Sequence, residues 1–141
     1  MTRNARTEPV DPRLVEDAYP LQDHMGFSMT HWSKGYTRFE QPMEPYLLNR
    51  HGIPHGGVYG LLLDTVMGSS GCWTGVPDQK IMAMTLSMTV NYLSRPKGSM
   101  LIAQGWTTGG GKRTFFAEGR LEDETGELIA TSVGTMRYRA A

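Results

Sequence analysis

Residues 55–71 form the one long helical segment that the sequence predicts, and this segment is apolar on almost every side. Its valine, leucine, tyrosine and methionine side chains lie all around the predicted helix instead of along one stripe. A helix of this kind is stable in water only when other parts of the chain surround it. The remainder of the chain is therefore predicted to form a layer that wraps around one buried helix.

Strand patterns lie on both sides of this helix in the sequence. Residues 82–92 alternate strictly between apolar and polar side chains, which is the period of a β-strand, with Met82, Met84 and Met88 on the apolar face. Further strands are predicted over 100–107, 112–122 and 128–138, with turns between them at 108–111 and 123–126, and a hairpin over 27–41 turns at Lys34-Gly35. We therefore predict an α+β protein in which a hairpin, the helix and a meander of four strands give an antiparallel sheet around a central helix.

The length of 141 residues fits one hydrophobic core and is too short for two. Asp11 and Pro12 predict the start of a short helix that Pro20 ends, in an N-terminal arm over residues 1–25. Residues 26–141 are then predicted to be a single domain.

The charge balance and the apolar runs exclude several classes of protein. The chain has 14 Lys plus Arg against 14 Asp plus Glu, so it lacks the basic excess that binding to nucleic acid requires. Its longest apolar run is interrupted by Asp64 and is shorter than the roughly 20 residues of a membrane-spanning helix, which predicts no membrane segment. One cysteine, Cys72, and an N-terminus without an apolar leader predict a cytoplasmic protein.

Asp64 is the principal candidate for a chemical role, because it is a carboxylate within the apolar helix. Gly60 and Gly68 lie one helical turn on either side of it, so a ligand or another backbone can approach it closely. An ionised carboxylate in such surroundings is kept for chemistry, or it is paired with backbone amides or with an arginine of a neighbouring chain. The sequence leaves both interpretations open.

The helix begins with His55-Gly56-Gly57. Backbone N–H groups at a helix start point outward and can bind a developing oxyanion, although a tight entry into the helix after Pro54 explains the same residues. The four histidines have no metal-ligand spacing with Cys72 or with acidic residues, so no metal site is predicted.

The arrangement Asn49-x5-His55-Gly56-Gly57-x6-Asp64, followed by the strand from Thr85 to Leu93, resembles the hotdog-fold acyl-CoA thioesterases of the PaaI-like, phenylacetate-degradation type. The resemblance extends over roughly residues 20–138. It implies the hotdog fold, in which the antiparallel sheet wraps around one long central helix.

The resemblance also implies a role for each matching residue. Asp64 matches the aspartate that activates water as a general base or attacks the thioester carbonyl, and the Gly56 N–H matches the donor that polarises this carbonyl. Asn49 matches a loop amide near the thioester or the water, His55 a supporting or orienting histidine, and Thr85 a hydroxyl that holds the water.

The implied reaction is hydrolysis of an acyl-CoA to a free acid and coenzyme A, with coenzyme A as part of the substrate and no separate cofactor. The alternative is a non-catalytic acyl-CoA-binding or assembly protein of the same fold. The resemblance implies a homo-oligomer, either a homodimer or a dimer of dimers, with its sites at the interface, and the exposed edge of an open sheet is an independent reason to expect dimerisation. Four cations are candidates for binding the phosphates of coenzyme A, although strand-end charges are often only solvated surface: Arg95, Lys97, Lys112 and Arg113.

Overall fold

A computed structural model describes residues 8–139 of the chain. The first seven residues of the predicted arm, and with them most of the N-terminus used for the cytoplasmic prediction, lie outside the described residues, as do the last two residues of the predicted domain. No helix within 8–139 has the length and apolar character needed to cross a membrane.

Within residues 8–139, the fold is one antiparallel sheet of six strands with a long helix on its inner face. The spatial order of the strands is β1-β2-β4-β5-β6-β3. The strands are β1 (Ser28–Ser33), β2 (Tyr36–Pro42), β3 (Met82–Tyr92), β4 (Met100–Gly110), β5 (Thr114–Asp123) and β6 (Leu128–Arg139). The helices are α1 (Pro20–Met25) and α2 (Gly56–Ser70), and two short 3-10 turns cover Pro12–Leu14 and Pro45–Leu47.

Helix α2 is the centre of the core, as the apolar sequence predicts. Leu62, Leu63 and Val66 are fully buried or nearly so, and each such side chain stabilises the fold by about 1.5–3 kcal/mol relative to exposure. The helix backbone lies directly on β4 at Gly105, where an added Cβ would lie 2.2 Å from the carbonyl oxygen of Val66. Glycine at this position therefore allows the sheet to curve closely around the helix.

The predicted four-stranded meander is wrong in one respect. Strands β4, β5 and β6 form a meander, but β3 pairs with β6 from Met82↔Arg139 to Tyr92↔Ala130 and forms an edge of the sheet. Residues 93–99 connect β3 to β4, which is separated from β3 in the sheet by β6 and β5. This connection is longer than a tight hairpin loop. Alternation predicts a strand but does not identify its neighbours.

The predicted apolar face of β3 is also only partly correct. Met82, Met84 and Leu86 are exposed on the outer side, whereas Met88 packs against the core. A β-bulge between Thr85 and Ser87 shifts the register, so the inward-facing positions change from the odd residues to the even ones. The polar side chain of Thr85 thus faces the helix.

Two boundaries differ from the prediction. Asp11 caps the first turn by accepting a hydrogen bond from the Arg13 N–H at 3.0 Å, as expected, but Pro20 begins α1 instead of ending the earlier helix. Proline is suited to a first helical position because its missing N–H would have no partner there. Strand β4 continues past Thr107 to Gly110, so the turn into β5 lies later than predicted.

Candidate active site

Asp64 and Thr85 lie together beside the middle of α2. The Thr85 hydroxyl donates a hydrogen bond of 2.5 Å to Oδ1 of Asp64, and both side chains are half-buried. Within residues 8–139 no other group donates a hydrogen bond to this carboxylate. The second carboxylate oxygen, Oδ2, is therefore available to a water molecule or a ligand.

A cavity of about 410 Å³ opens next to this pair. Helix α2 contributes Asp64, Thr65 and Gly68 to it, and β3 contributes Thr85. An ideal Cβ added at Gly68 would meet nothing within 4 Å, so the helix surface beside Asp64 is open. Much of the remaining wall is apolar and is formed by Val15, Tyr19, Met29, Trp32, Phe39, Ile81 and Met82.

The start of α2 presents backbone N–H groups and a capping histidine instead of a carboxylate. The His55 ring caps the helix, since its Nδ1 accepts a hydrogen bond from the Gly57 N–H at 2.8 Å. The Val58 N–H donates to the His55 carbonyl at 2.9 Å. The hydrogen bonds of the described part of the chain include none from the Gly56 N–H, so this group can donate to a ligand oxygen.

Tyr92 and Asn49 flank this helix start. The Tyr92 hydroxyl donates to the Gly56 carbonyl at 3.2 Å, and its ring would lie 3.1 Å from a Cβ added at Gly56. The side-chain oxygen of Asn49 accepts a hydrogen bond from the His51 N–H at 2.8 Å and thereby fixes the loop that leads into the helix. Asn49, His55 and Gly56 thus belong to one end of α2.

The predicted site residues fall into two groups within one chain. Gly56 and Asp64 are separated by eight residues of the same helix. At a rise of 1.5 Å per residue this separation is about 12 Å, much longer than a thioester group. One copy of the chain therefore places Asp64 with Thr85, and Gly56 with His55 and Asn49, but does not bring the two groups to one substrate carbonyl.

The four candidate cations do not form one cluster. Arg95 and Lys97 precede β4, whereas Lys112 and Arg113 follow it. Strand β4 has 11 residues, which corresponds to about 33 Å of extended chain. Lys97 also forms an ion pair of 3.0 Å with Glu127. The two pairs of candidate cations are therefore at opposite ends of a strand.

Tyr19 is a residue of this region that the sequence analysis missed. It lines the cavity beside Asp64, and its ring packs edge-on against Phe27 at a centroid distance of 6.1 Å. Burial raises the pKa of Tyr19 and the negative charge of Asp64 adds to this, while the Thr65 hydroxyl opposes it. No motif marks Tyr19 in the sequence, because its position depends on how the arm folds back.

The thiol of Cys72 is buried and lines the cavity, and its Sγ lies 3.2 Å from the Gly68 carbonyl oxygen. Burial raises the pKa of this thiol to about 11. The side chain is then a neutral thiol at physiological pH and a poor nucleophile. Among residues 8–139, no group of three or more His, Cys, Asp or Glu is placed to hold a metal ion.

Solved structures share this architecture. A conserved protein of Pseudomonas aeruginosa has a TM-score of 0.78 at 21% identity, with 93% of this chain and 100% of that chain covered. The E. coli PaaI protein from the phenylacetic acid degradation operon has a TM-score of 0.75 at 17% identity, covering 86% and 85%. A Bacillus halodurans protein solved with CoA has a TM-score of 0.75 at 25% identity, covering 88% and 81%.

These similarities confirm the predicted α+β hotdog fold. No curated protein sequence matches the chain. The model of the thioesterase superfamily matches residues 51–130, more than half of the chain, including all of α2 with Gly56 and Asp64. This match to the thioesterase superfamily supports a hydrolase that acts on thioesters. The chain belongs to the thioesterase superfamily.

Proposed function

We propose that this protein is an acyl-CoA thioesterase of the PaaI-like type, which releases a free acid and coenzyme A. The observation that carries the proposal is the Asp64 carboxylate, which accepts a hydrogen bond from the Thr85 hydroxyl and lines a largely apolar cavity. The similar Bacillus halodurans protein was solved with CoA, which supports coenzyme A as the thiol. The E. coli PaaI protein has the same fold.

The proposed chemistry needs few groups, because a thioester is already an activated acyl compound. Asp64 removes a proton from a water molecule that attacks the carbonyl carbon, and the C–S bond then breaks as this proton passes to the departing coenzyme A sulfur. In the alternative route, the carboxylate attacks this carbon and displaces coenzyme A as the thiolate, and water then hydrolyses the resulting anhydride to the free acid and regenerates Asp64. The Gly56 N–H donates to the carbonyl oxygen as negative charge develops on it, and the positive end of the helix dipole adds to this stabilisation. Thr85 orients Asp64 through its 2.5 Å hydrogen bond.

The separation of Gly56 and Asp64 leads us to propose a site shared between two copies of the chain. In a homodimer, the helix start of one copy would meet Asp64 of the other. The helix stripe beside Asp64 is open, since a Cβ at Gly60 or Gly68 would meet nothing within 4 Å. Strand β3 is an edge strand, and its unpaired backbone groups can pair with the same strand of a second copy.

The outer face of the sheet provides a reason for further association into a tetramer. Large apolar side chains at least 45% exposed lie there on β3, β5 and β6, namely Met84, Leu86, Phe116 and Val133. Apolar groups that adjoin in this way are typical of protein interfaces. Sedimentation at micromolar concentration should show dimers or tetramers and no monomer, and a stable active monomer would contradict the shared site.

For coenzyme A, we propose that the two cation pairs act at different places. Arg95 and Lys97 follow Tyr92, which contacts Gly56, so they lie at the same end of the molecule as the proposed carbonyl donor. Lys112 and Arg113 lie at the other end of β4. Arg95 is the first choice for a phosphate contact, because Lys97 is already paired with Glu127.

An acyl-CoA panel with a thiol reagent tests the activity and separates it from the alternative of a non-catalytic binding protein. We expect release of coenzyme A, with hexanoyl- and phenylacetyl-CoA better substrates than acetyl-CoA, because the cavity wall is largely apolar. Saturable binding without release would support the alternative instead. The raised pKa of Cys72 keeps the background reaction with the reagent low.

A matched pair of variants tests the carbonyl donor. Gly56→Pro removes the N–H, and proline fits a first helical position after His55, whose φ of −59° and ψ of 137° suit a residue before proline. Gly56→Ala keeps the N–H and adds a Cβ against the movable ring of Tyr92. We expect kcat to fall about 10²–10³-fold in Gly56→Pro and much less in Gly56→Ala. Equal rates in both would remove the Gly56 N–H from the mechanism.

A further inference from the structure

Residues 15–19, which we call the strap, have neither helix nor strand structure, and four of them line the cavity beside Asp64. The backbone is extended at Val15 and at Tyr19. The strap is attached to the fold at both ends. On the N-terminal side, the Val10 N–H donates to the Thr30 carbonyl at 2.9 Å. On the C-terminal side, Tyr19 packs against Phe27, and the Gln22 side chain donates to the Phe27 carbonyl at 3.2 Å.

The strap supplies a wall that neither the helix nor the sheet provides. Val15, Glu16, Asp17 and Tyr19 all line the cavity that contains Asp64. Tyr19 is 47% exposed, lines the cavity and forms an edge-type ring contact with Phe27. The size of the space available beside the carboxylate therefore depends on the strap.

A second cavity of about 380 Å³ adjoins the first along the strap. Six residues line both cavities and lie between them: Val15, Glu16, Asp17, Trp32, Cys72 and Ile81. The second cavity is more polar, since Arg13, Gln79 and Lys80 contribute to it. An apolar chain that extends beyond the first cavity must therefore displace the strap or enter polar surroundings, and both are unfavourable.

We propose that the strap closes the acyl pocket and that Tyr19 is the specificity-determining residue that limits the length of the acyl group. This inference rests on the proposed function and specifies its substrate class as apolar acyl groups of medium length. The volume of about 410 Å³ is near the lower end of ligand pockets, which range over about 300–1,000 Å³, and suits such groups.

Removal of the Tyr19 ring should extend the apolar pocket. Each methylene that is newly buried improves binding by about fourfold. Two or more additional buried methylenes of a long acyl chain should then improve its specificity constant by roughly tenfold, whereas a short chain that does not reach Tyr19 gains nothing.

The test compares kcat/KM for hexanoyl- and decanoyl-CoA in the full-length wild type and three variants. We expect Tyr19→Ala to raise the decanoyl-to-hexanoyl ratio about tenfold. Tyr19→Phe keeps the ring and should leave the ratio within about twofold of the wild type. Tyr46→Ala is the matched control, because Tyr46 is a comparably exposed tyrosine, at 56%, that does not line the cavity.

A second readout does not depend on hydrolysis. Cys72 lies at the cavity boundary, so its rate of alkylation by a maleimide reports how open the cavity is. Tyr19→Ala should accelerate alkylation at least about fivefold over Tyr46→Ala, measured at equal thiolate fraction. Tyr19→Val, which retains a smaller apolar side chain, serves in place of Tyr19→Ala if the alanine variant does not fold.

The two readouts separate the possible failures. If the wild type releases coenzyme A and the decanoyl-to-hexanoyl ratio of Tyr19→Ala stays within twofold of the control, the assignment of Tyr19 is wrong. If the wild type releases no coenzyme A from any acyl-CoA, the proposed function is wrong and alkylation decides the role of the strap. Faster alkylation of the Tyr19 variant then supports a strap that closes the cavity, and an unchanged rate overturns it.

Discussion

Two aspartates of this protein, Asp64 and Asp123, differ in the number of hydrogen bonds that their carboxylate oxygens accept from the protein. Asp123 is 2% exposed. Its Oδ2 accepts hydrogen bonds from the Lys97 and Gly98 N–H groups at 2.6 and 2.8 Å. Its Oδ1 accepts from the hydroxyl and the N–H of Thr125 at 2.6 and 2.9 Å, and from the Glu127 N–H at 3.2 Å.

Asp64 has one such donor within residues 8–139, the hydroxyl of Thr85, and faces a cavity. Burial of Asp123 works to raise its pKa, but the hydrogen bonds from Thr125, Lys97 and Gly98 outweigh burial and lower it. Both oxygens of the Asp123 carboxylate accept hydrogen bonds, so this side chain stabilises the loop before β4 and the turn between β5 and β6. The two aspartates show that the number of hydrogen bonds accepted by the carboxylate oxygens, more than burial, distinguishes a structural carboxylate from one available for chemistry.

The largest effect is expected from Asp64→Asn. The amide keeps an oxygen that can accept from Thr85 but cannot take a proton from water, so we expect kcat for acyl-CoA hydrolysis to fall about 10²–10⁴-fold. The free energy of unfolding should change by less than about 1 kcal/mol, because the site is only half-buried. Near-normal turnover in the folded variant would exclude Asp64 from the reaction.

The converse variant is Asp123→Asn. An asparagine offers one acceptor oxygen, so its NH₂ group would face either the two N–H groups on one side or the three donors on the other. We expect a loss of about 3 kcal/mol in the free energy of unfolding, measured by denaturant titration. The activity per folded molecule should stay near that of the wild type. A loss of activity without a loss of stability would contradict the structural role of Asp123.

The same contacts predict how stability depends on pH. Because the pKa of folded Asp123 is lowered, the unfolded chain binds a proton at this group, near the ordinary aspartate pKa of 3.8, at a higher pH than the folded chain does. The stabilisation is therefore complete above about pH 4 and is lost as the pH falls further through the folded value. Between pH 4 and 2, the wild type should lose more stability than Asp123→Asn, and parallel curves would contradict this assignment.

A smaller effect is expected from Thr85→Val, which keeps the shape of the side chain and removes the hydroxyl. Without its single donor, the Asp64 carboxylate is oriented less well, and we expect kcat to fall about tenfold, or 1.4 kcal/mol. Thr89→Val makes the same change at an exposed position of the same strand and should have no effect on kcat. If both variants have equal rates, the hydrogen bond from Thr85 has no role in positioning Asp64.

Much of the fold follows from local patterns in the sequence. The apolar character of residues 55–71 predicts a buried helix, and α2 is observed at Gly56–Ser70. Turn residues predict the β1–β2 and β5–β6 hairpins. The pairing of β3 with β6 could not be predicted in this way, since it depends on the route of residues 93–99 across the sheet.

The site was predicted less completely, because motifs identify residues but not their relative positions. Residue type and spacing identify Asp64, Gly56 and Asn49 in the sequence. Their separation into two groups is evident only from the structure of α2. The contact between Thr85 and Asp64 depends on the bulge in β3, which inverts the alternation that the sequence predicts. Tyr19 reaches the cavity through the path of the strap, for which the sequence has no periodic signal.

The central claim is that Asp64 acts on a thioester held by the Gly56 N–H of a second copy, and complementation between two inactive variants tests it most directly. Asp64→Asn and Gly56→Pro are mixed in equal amounts after reversible dissociation, and coenzyme A release is measured before and after mixing. Random pairing makes about half of the dimers mixed, each with one intact site, so we expect roughly one quarter of wild-type activity. Activity no greater than the average of the two separate variants would contradict the shared site.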